Sequence, residues 1–250
     1  MFSSNQMPWD FALILIFLGV AVPLLGRRRI RQLLDSPETS KMDRLSIYAS
    51  TIGFQWLATV IILWRTRAHG ISVIQLGLAI PRPALAITIS VVLAVLISLN
   101  QAYSLRRLVA TPSEIQGVLP QLALKLFPQD DVERLIFFAL VVTVAMCEEY
   151  IYRGFIQRVF QDWSGGYVAA GIAGSAIFFA LAHLYQGRRG LFTTSVVGVI
   201  FSGLRAWTNS LFPTFIAHLI ADFFVGMWAP AKLRAANILA SSDAKSGLDA

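Results

Sequence analysis

The chain has 250 residues, 56% of them hydrophobic and only 14% charged, with a mean hydropathy of +0.64. Soluble domains carry about 25% charged residues, so this composition excludes an ordinary soluble enzyme and points to an integral membrane protein. The net charge of +7 sits singly or in small groups between apolar runs, without the basic helix or aromatic-interleaved basic patch of a nucleic-acid reader.

A bilayer crossing takes about 20 mostly apolar residues. Seven stretches approach that length, near 10–26, 45–64, 84–103, 132–156, 166–185, 190–206 and 209–229. The expected fold is therefore all-α, a polytopic transmembrane bundle of about seven spans. No Lys or Arg precedes the first run, so it reads as a retained span and not as a signal peptide. Between the second and third spans, residues 70–83 are broken by Gly77, Pro81 and Pro83 and read as a short interfacial or re-entrant segment. Residues 104–131 hold three prolines and read as a loop with a short amphipathic helix. The sixth stretch is short and rich in Gly, Ser and Thr, the residues that let membrane helices approach closely. Residues 230–250 read as a polar, flexible tail. Cys147 is the only cysteine; it excludes an intrachain disulfide and reads as small packing filler beside two acids.

Cytoplasmic loops carry the excess of Lys and Arg. On a seven-span chain, fifteen of these residues fall on one side, including Arg44, and six on the other, including Arg205. The N-terminus is therefore expected outside and the C-terminus in the cytoplasm, with a bacterial cell membrane as the expected location and membrane lipid as the surroundings.

Six titratable groups stand out within the apolar spans, in three short stretches: Glu148, Glu149 and Arg153; His183; and His218 with Asp222. A charge near the bilayer centre costs at least ~2.5–3.5 kcal/mol, so such groups are usually paired and functional. Fourteen residues of helix separate Arg134 from Glu148, about 21 Å, which puts both acids well inside the membrane. Glu149 and Arg153, at i and i+4, form the favourable ion-pair order. Glu148 points about 100° away and lacks that partner. It is the candidate general base, with Glu149 and Arg153 as an orienting pair. Phe179 lies four residues before His183, on the same helix face. His218 and Asp222 also share a face, and an Asp so placed can fix an imidazole tautomer.

Two chemistries fit these parts. In one, His183, His218 and an acid hold a metal such as Zn, which polarises a water that Glu148 deprotonates; the H-E-x-x-H run of common zinc proteases is absent. In the other, Glu148 and His183 activate water without a metal, while His218 and Asp222 stabilise the oxyanion.

Glu148-Glu149 with Arg153, Phe179 with His183, and His218 with Asp222, in this order, resemble the E-E-x-x-x-R, F-x-x-x-H and H-x-x-x-N/D motifs of the CPBP (Abi) family. This family comprises the CAAX proteases and bacteriocin-processing enzymes. The resemblance covers about residues 132–229. After the spans and loops that hydropathy places over 1–131, it implies a catalytic membrane core over 132–229 and an intramembrane endopeptidase acting on peptide or lipidated protein substrates. It further implies that Glu148, His183 and His218 are catalytic, with Asp222 at the position that is Asn in the CAAX enzyme. Family members have been described both as metalloproteases and as metal-independent glutamate proteases. A small proton-coupled transporter could use the same buried charges as a relay, but the inverted repeats and broken helix pairs of carriers are not visible in the sequence. A non-catalytic immunity or scaffold protein would be expected to lose part of the motif set, and this chain keeps every position.

Overall fold

The computed structural model describes residues 7–110, 118–224 and 226, and these residues form helices and turns with no strand. Eight helices follow in order: α1 (Trp9–Asp35), α2 (Lys41–Ala68), α3 (Pro83–Ala110), α4 (Val118–Leu126), α5 (Asp131–Trp163), α6 (Val168–Ala182), α7 (Gly187–Thr208) and α8 (Phe212–Phe223). The all-α membrane bundle expected from composition is the observed fold. The expected tail at 230–250 lies outside the described residues.

Five helices are long and apolar enough to cross a membrane. The sixth stretch, short in the sequence, belongs to one of them, because a 3-10 turn at Leu184–Gln186 leads into α7 and extends the helix. The stretches at 166–185 and 209–229 instead hold the shorter helices α6 and α8. The 15 residues of α6 rise only about 22 Å, less than the ~30 Å hydrocarbon core. His183 follows α6 directly, as its C-cap.

Helix α2 starts at a capping box, in which the Ser40 hydroxyl accepts from the Asp43 N–H and the Asp43 carboxylate accepts from the Ser40 N–H. Helix α5 starts at Asp130, whose carboxylate accepts from the Glu133 N–H at 2.9 Å. The Lys41 ammonium, 2.6 Å away, helps hold the Asp130 carboxyl below its ordinary range. The two helices lie side by side, pinned at three levels. Arg44 donates to both oxygens of Glu133 at 2.7 and 3.2 Å; Trp56 Nε1 donates to the Thr143 hydroxyl at 3.2 Å; the Thr66 and Tyr150 hydroxyls meet at 3.3 Å. Arg44 is thus a buried ion-pair partner and not the free loop cation of the charge count. A second cluster joins the opposite end of α2 to α1, where Asp10 accepts from Arg65 at 2.8 Å and lies 3.0 Å from His69 Nε2.

The segment between α2 and α3 folds back onto the end of α7. Gly77 takes φ +80°, which a side chain would strain, and a Cβ there would stand 3.2 Å from Arg205 Nε. The Gly77 carbonyl accepts from the Leu211 N–H at 2.8 Å, and the Arg205 guanidinium donates to the Gln75 carbonyl. Arg205 is therefore buried against backbone and does not act as a surface charge.

Small residues set the approach of α6 to its neighbours. A Cβ on Gly171 would lie 2.7 Å from the Gln157 carbonyl of α5, a backbone atom that cannot swing aside. Gly171→Ala is expected to cost about 1–3 kcal/mol, read as a lower thermal midpoint in detergent. Gly203→Ala is the control: no atom lies within 4 Å of its added Cβ, and the midpoint should not fall. Equal behaviour of the two variants would contradict this packing.

Candidate active site

The three sequence stretches converge. The α-helical part of α5 ends at Glu148, and a π-helical stretch, Glu149–Ile156, follows before α-geometry resumes. π-Turns inside α-helices recur at functional sites. Every residue of this stretch is buried.

Glu149 and Arg153 form the expected pair, with Nη1 3.0 Å from Oε1. The pair is sealed, with side-chain exposures of 1% and 0%. The Arg153 guanidinium lies 4.0 Å from the centre of the Phe179 ring and 5.3 Å from that of Phe201, a cation–π arrangement that partly replaces lost hydration. Phe179 thus has a specific task. It covers Arg153 and also touches Tyr152, His183 and His218, with ring centres 5.3, 4.5 and 6.3 Å away.

The group that orients His218 is Glu149. His218 Nδ1 lies 3.0 Å from Glu149 Oε1, so Nδ1–H donates to that carboxylate. The sequence assigned this task to Asp222. Asp222 instead approaches the other nitrogen, Nε2, at 3.5 Å, with its own side chain 39% exposed. Glu148 Oε2 stands 4.0 Å from the same Nε2. His218 therefore turns one nitrogen into the sealed Glu149–Arg153 pair and the other toward Glu148 and Asp222.

His183 directs Nδ1 to the Phe179 carbonyl at 2.8 Å. A carbonyl only accepts, so Nδ1 carries the proton, and in the neutral ring Nε2 keeps its lone pair. Glu148 Oε1 accepts from Gln55 Nε2 of α2 at 3.1 Å. Its Oε2 has no hydrogen-bond partner among the described residues. Gln55 carries neither charge nor imidazole to mark it in the sequence; it is the sole amide within the run at 45–64.

The expected metal ligands are not grouped. Among the described residues, no three His, Cys, Asp or Glu side chains are grouped as a metal ion requires. The expected His183–His218–acid triad is thus not assembled, although both rings bond through Nδ1 and keep Nε2, the nitrogen by which an imidazole holds a metal.

A cavity of about 260 Å³ opens beside Asp222, lined by Phe127, Phe137, Leu140 and Val141, with Gln101 as its other polar group.

Residues 131–224 match the type II CAAX prenyl endopeptidase Rce1-like family. These residues are similar to an Rce1-like domain. They run from the first residue of α5 past the end of α8 and hold all seven side chains of the three motifs. The resemblance drawn from those motifs is to this family. The Rce1-like domain also accords with the apolar helices of an integral membrane protein. Gln55 lies outside it. No curated protein and no solved structure matches the chain.

Proposed function

We propose that the protein is an intramembrane endopeptidase that hydrolyses prenylated, CAAX-type substrates with water activated by Glu148. The observation that supports this reading most is the meeting of Glu148, His218 and Asp222 around one imidazole nitrogen, within a domain of a prenyl endopeptidase family.

Glu148 Oε2 accepts a proton from water, and the water oxygen attacks the scissile carbonyl carbon. The carbonyl oxygen becomes an oxyanion, to which His218, as imidazolium, donates from Nε2–H. The bond to nitrogen then breaks, and the proton taken from water passes to the leaving amine. Glu149 holds His218 from behind, and Arg153 keeps Glu149 ionised as its acceptor. His183 Nε2 is a second proton acceptor for the water or carrier for the leaving group. Asp222 only accepts when ionised, so it acts through His218 and not on the oxyanion itself. The apolar cavity beside Asp222 suits an aliphatic or lipid part of the substrate.

The test is hydrolysis of prenylated and unmodified peptides by purified protein in liposomes, with and without a zinc chelator. Cleavage of the prenylated peptides alone, at the same rate in chelator, is expected. A chelator-sensitive rate restored by Zn would overturn the metal-free scheme. Absence of cleavage of any prenylated peptide by folded protein would count against the endopeptidase reading.

A further inference from the structure

We propose that Gln55 is a positioning residue for Glu148, so that the N-terminal half of the chain supplies a working part of the site as well as membrane anchorage. This inference rests on the endopeptidase reading above.

Gln55 lies 93 positions from Glu148 in sequence and outside the Rce1-like domain. Its Nε2 donates to Glu148 Oε1 at 3.1 Å. The pins between α2 and α5 fix this meeting. Arg44–Glu133 lies at the starts of the two helices, Trp56–Thr143 at their middles and Thr66–Tyr150 beyond the site. A register slip of α2 would break all three.

The chemistry of an amide suits the position. Gln donates a hydrogen bond without bringing charge, so it can hold a carboxylate without neutralising it, as Lys or Arg would. It occupies one oxygen, Oε1, and leaves Oε2 without a hydrogen-bond partner. Oε2 is the atom that faces His218 Nε2. The amide thus sets which oxygen is free to take a proton from water. A buried amide in an apolar run is costly unless bonded, and this one is bonded to the proposed base.

The purely structural alternative is that Gln55 is one more pin between α2 and α5. Trp56 performs that task one residue away and provides the control. In liposomes, Gln55→Leu is expected to lower kcat roughly 10- to 100-fold, the cost of losing a hydrogen bond to a charged group, with KM nearly unchanged. Trp56→Phe should leave both constants near wild type. A second readout needs no turnover. The carboxylate infrared band that disappears in Glu148→Gln should shift in Gln55→Leu and stay in place in Trp56→Phe.

Equal kcat losses in the two variants, or an unmoved Glu148 band in Gln55→Leu, would overturn the role of Gln55. Wild-type protein that cleaves no prenylated peptide would overturn the endopeptidase reading instead, and the infrared band would still decide the Gln55 contact.

Discussion

Glu148→Gln is expected to lower kcat on a prenylated peptide by about 10²- to 10⁴-fold, the usual contribution of a positioned general base. Gln matches Glu in size but cannot take a proton from water. The fold should survive, because Glu148 is not part of the sealed pair and its side chain keeps 13% exposure. KM should change little, since the lost interaction belongs to the transition state. Thermal unfolding of the same preparation separates the two effects. A Glu148→Gln protein with an unchanged melting midpoint and near wild-type kcat would remove Glu148 as the base. Asp222→Asn is the informative companion. It installs the residue of the CAAX enzyme at a half-exposed position, so a much smaller loss is expected.

The largest effect on stability is expected from Arg153. The guanidinium is fully buried between Glu149 and the faces of Phe179 and Phe201. Removing one partner of a buried ion pair leaves the other charge uncompensated, at a cost of about 3–5 kcal/mol. Arg153→Leu should therefore lower the unfolding midpoint strongly. It should also reduce activity, because Glu149 no longer holds His218 with the same geometry. Glu149→Leu together with Arg153→Leu removes both charges and should recover much of the stability while leaving the enzyme inactive. Additive losses in this double-mutant cycle would show that the pair is not coupled. Arg153→Lys should fall short of full rescue, since an ammonium lacks the planar stacking surface of guanidinium.

Much of the site was legible in the sequence. Charged groups within apolar runs are few, so Glu148, Glu149, Arg153, His183, His218 and Asp222 stood out without any tertiary information. The i,i+4 spacing gave Glu149–Arg153 correctly because that contact lies within one helix. The same spacing brings Asp222 to 3.5 Å from His218 Nε2, but i,i+4 does not show which partner on another helix takes Nδ1. Glu149 reaches Nδ1 from α5, a contact that arises only when α8 packs on α5. Gln55 escaped notice because an amide in an apolar run carries no charge to mark it. The π-stretch at Glu149–Ile156 leaves no clear trace in hydrophobic periodicity. The seven apolar stretches map onto the five long helices and the two shorter ones, α6 and α8. α6 ends at Ala182, with His183 as its C-cap, and a hydropathy window extends the run past it.

Identification of the bond that is cut tests the proposed function most directly. Purified protein in liposomes would be given a prenylated peptide ending in a CAAX sequence, and the products would be read by mass spectrometry. The proposed chemistry predicts release of the intact C-terminal tripeptide by wild-type protein and none by Glu148→Gln. Cleavage elsewhere in the peptide, or tripeptide release that persists in Glu148→Gln, would contradict it.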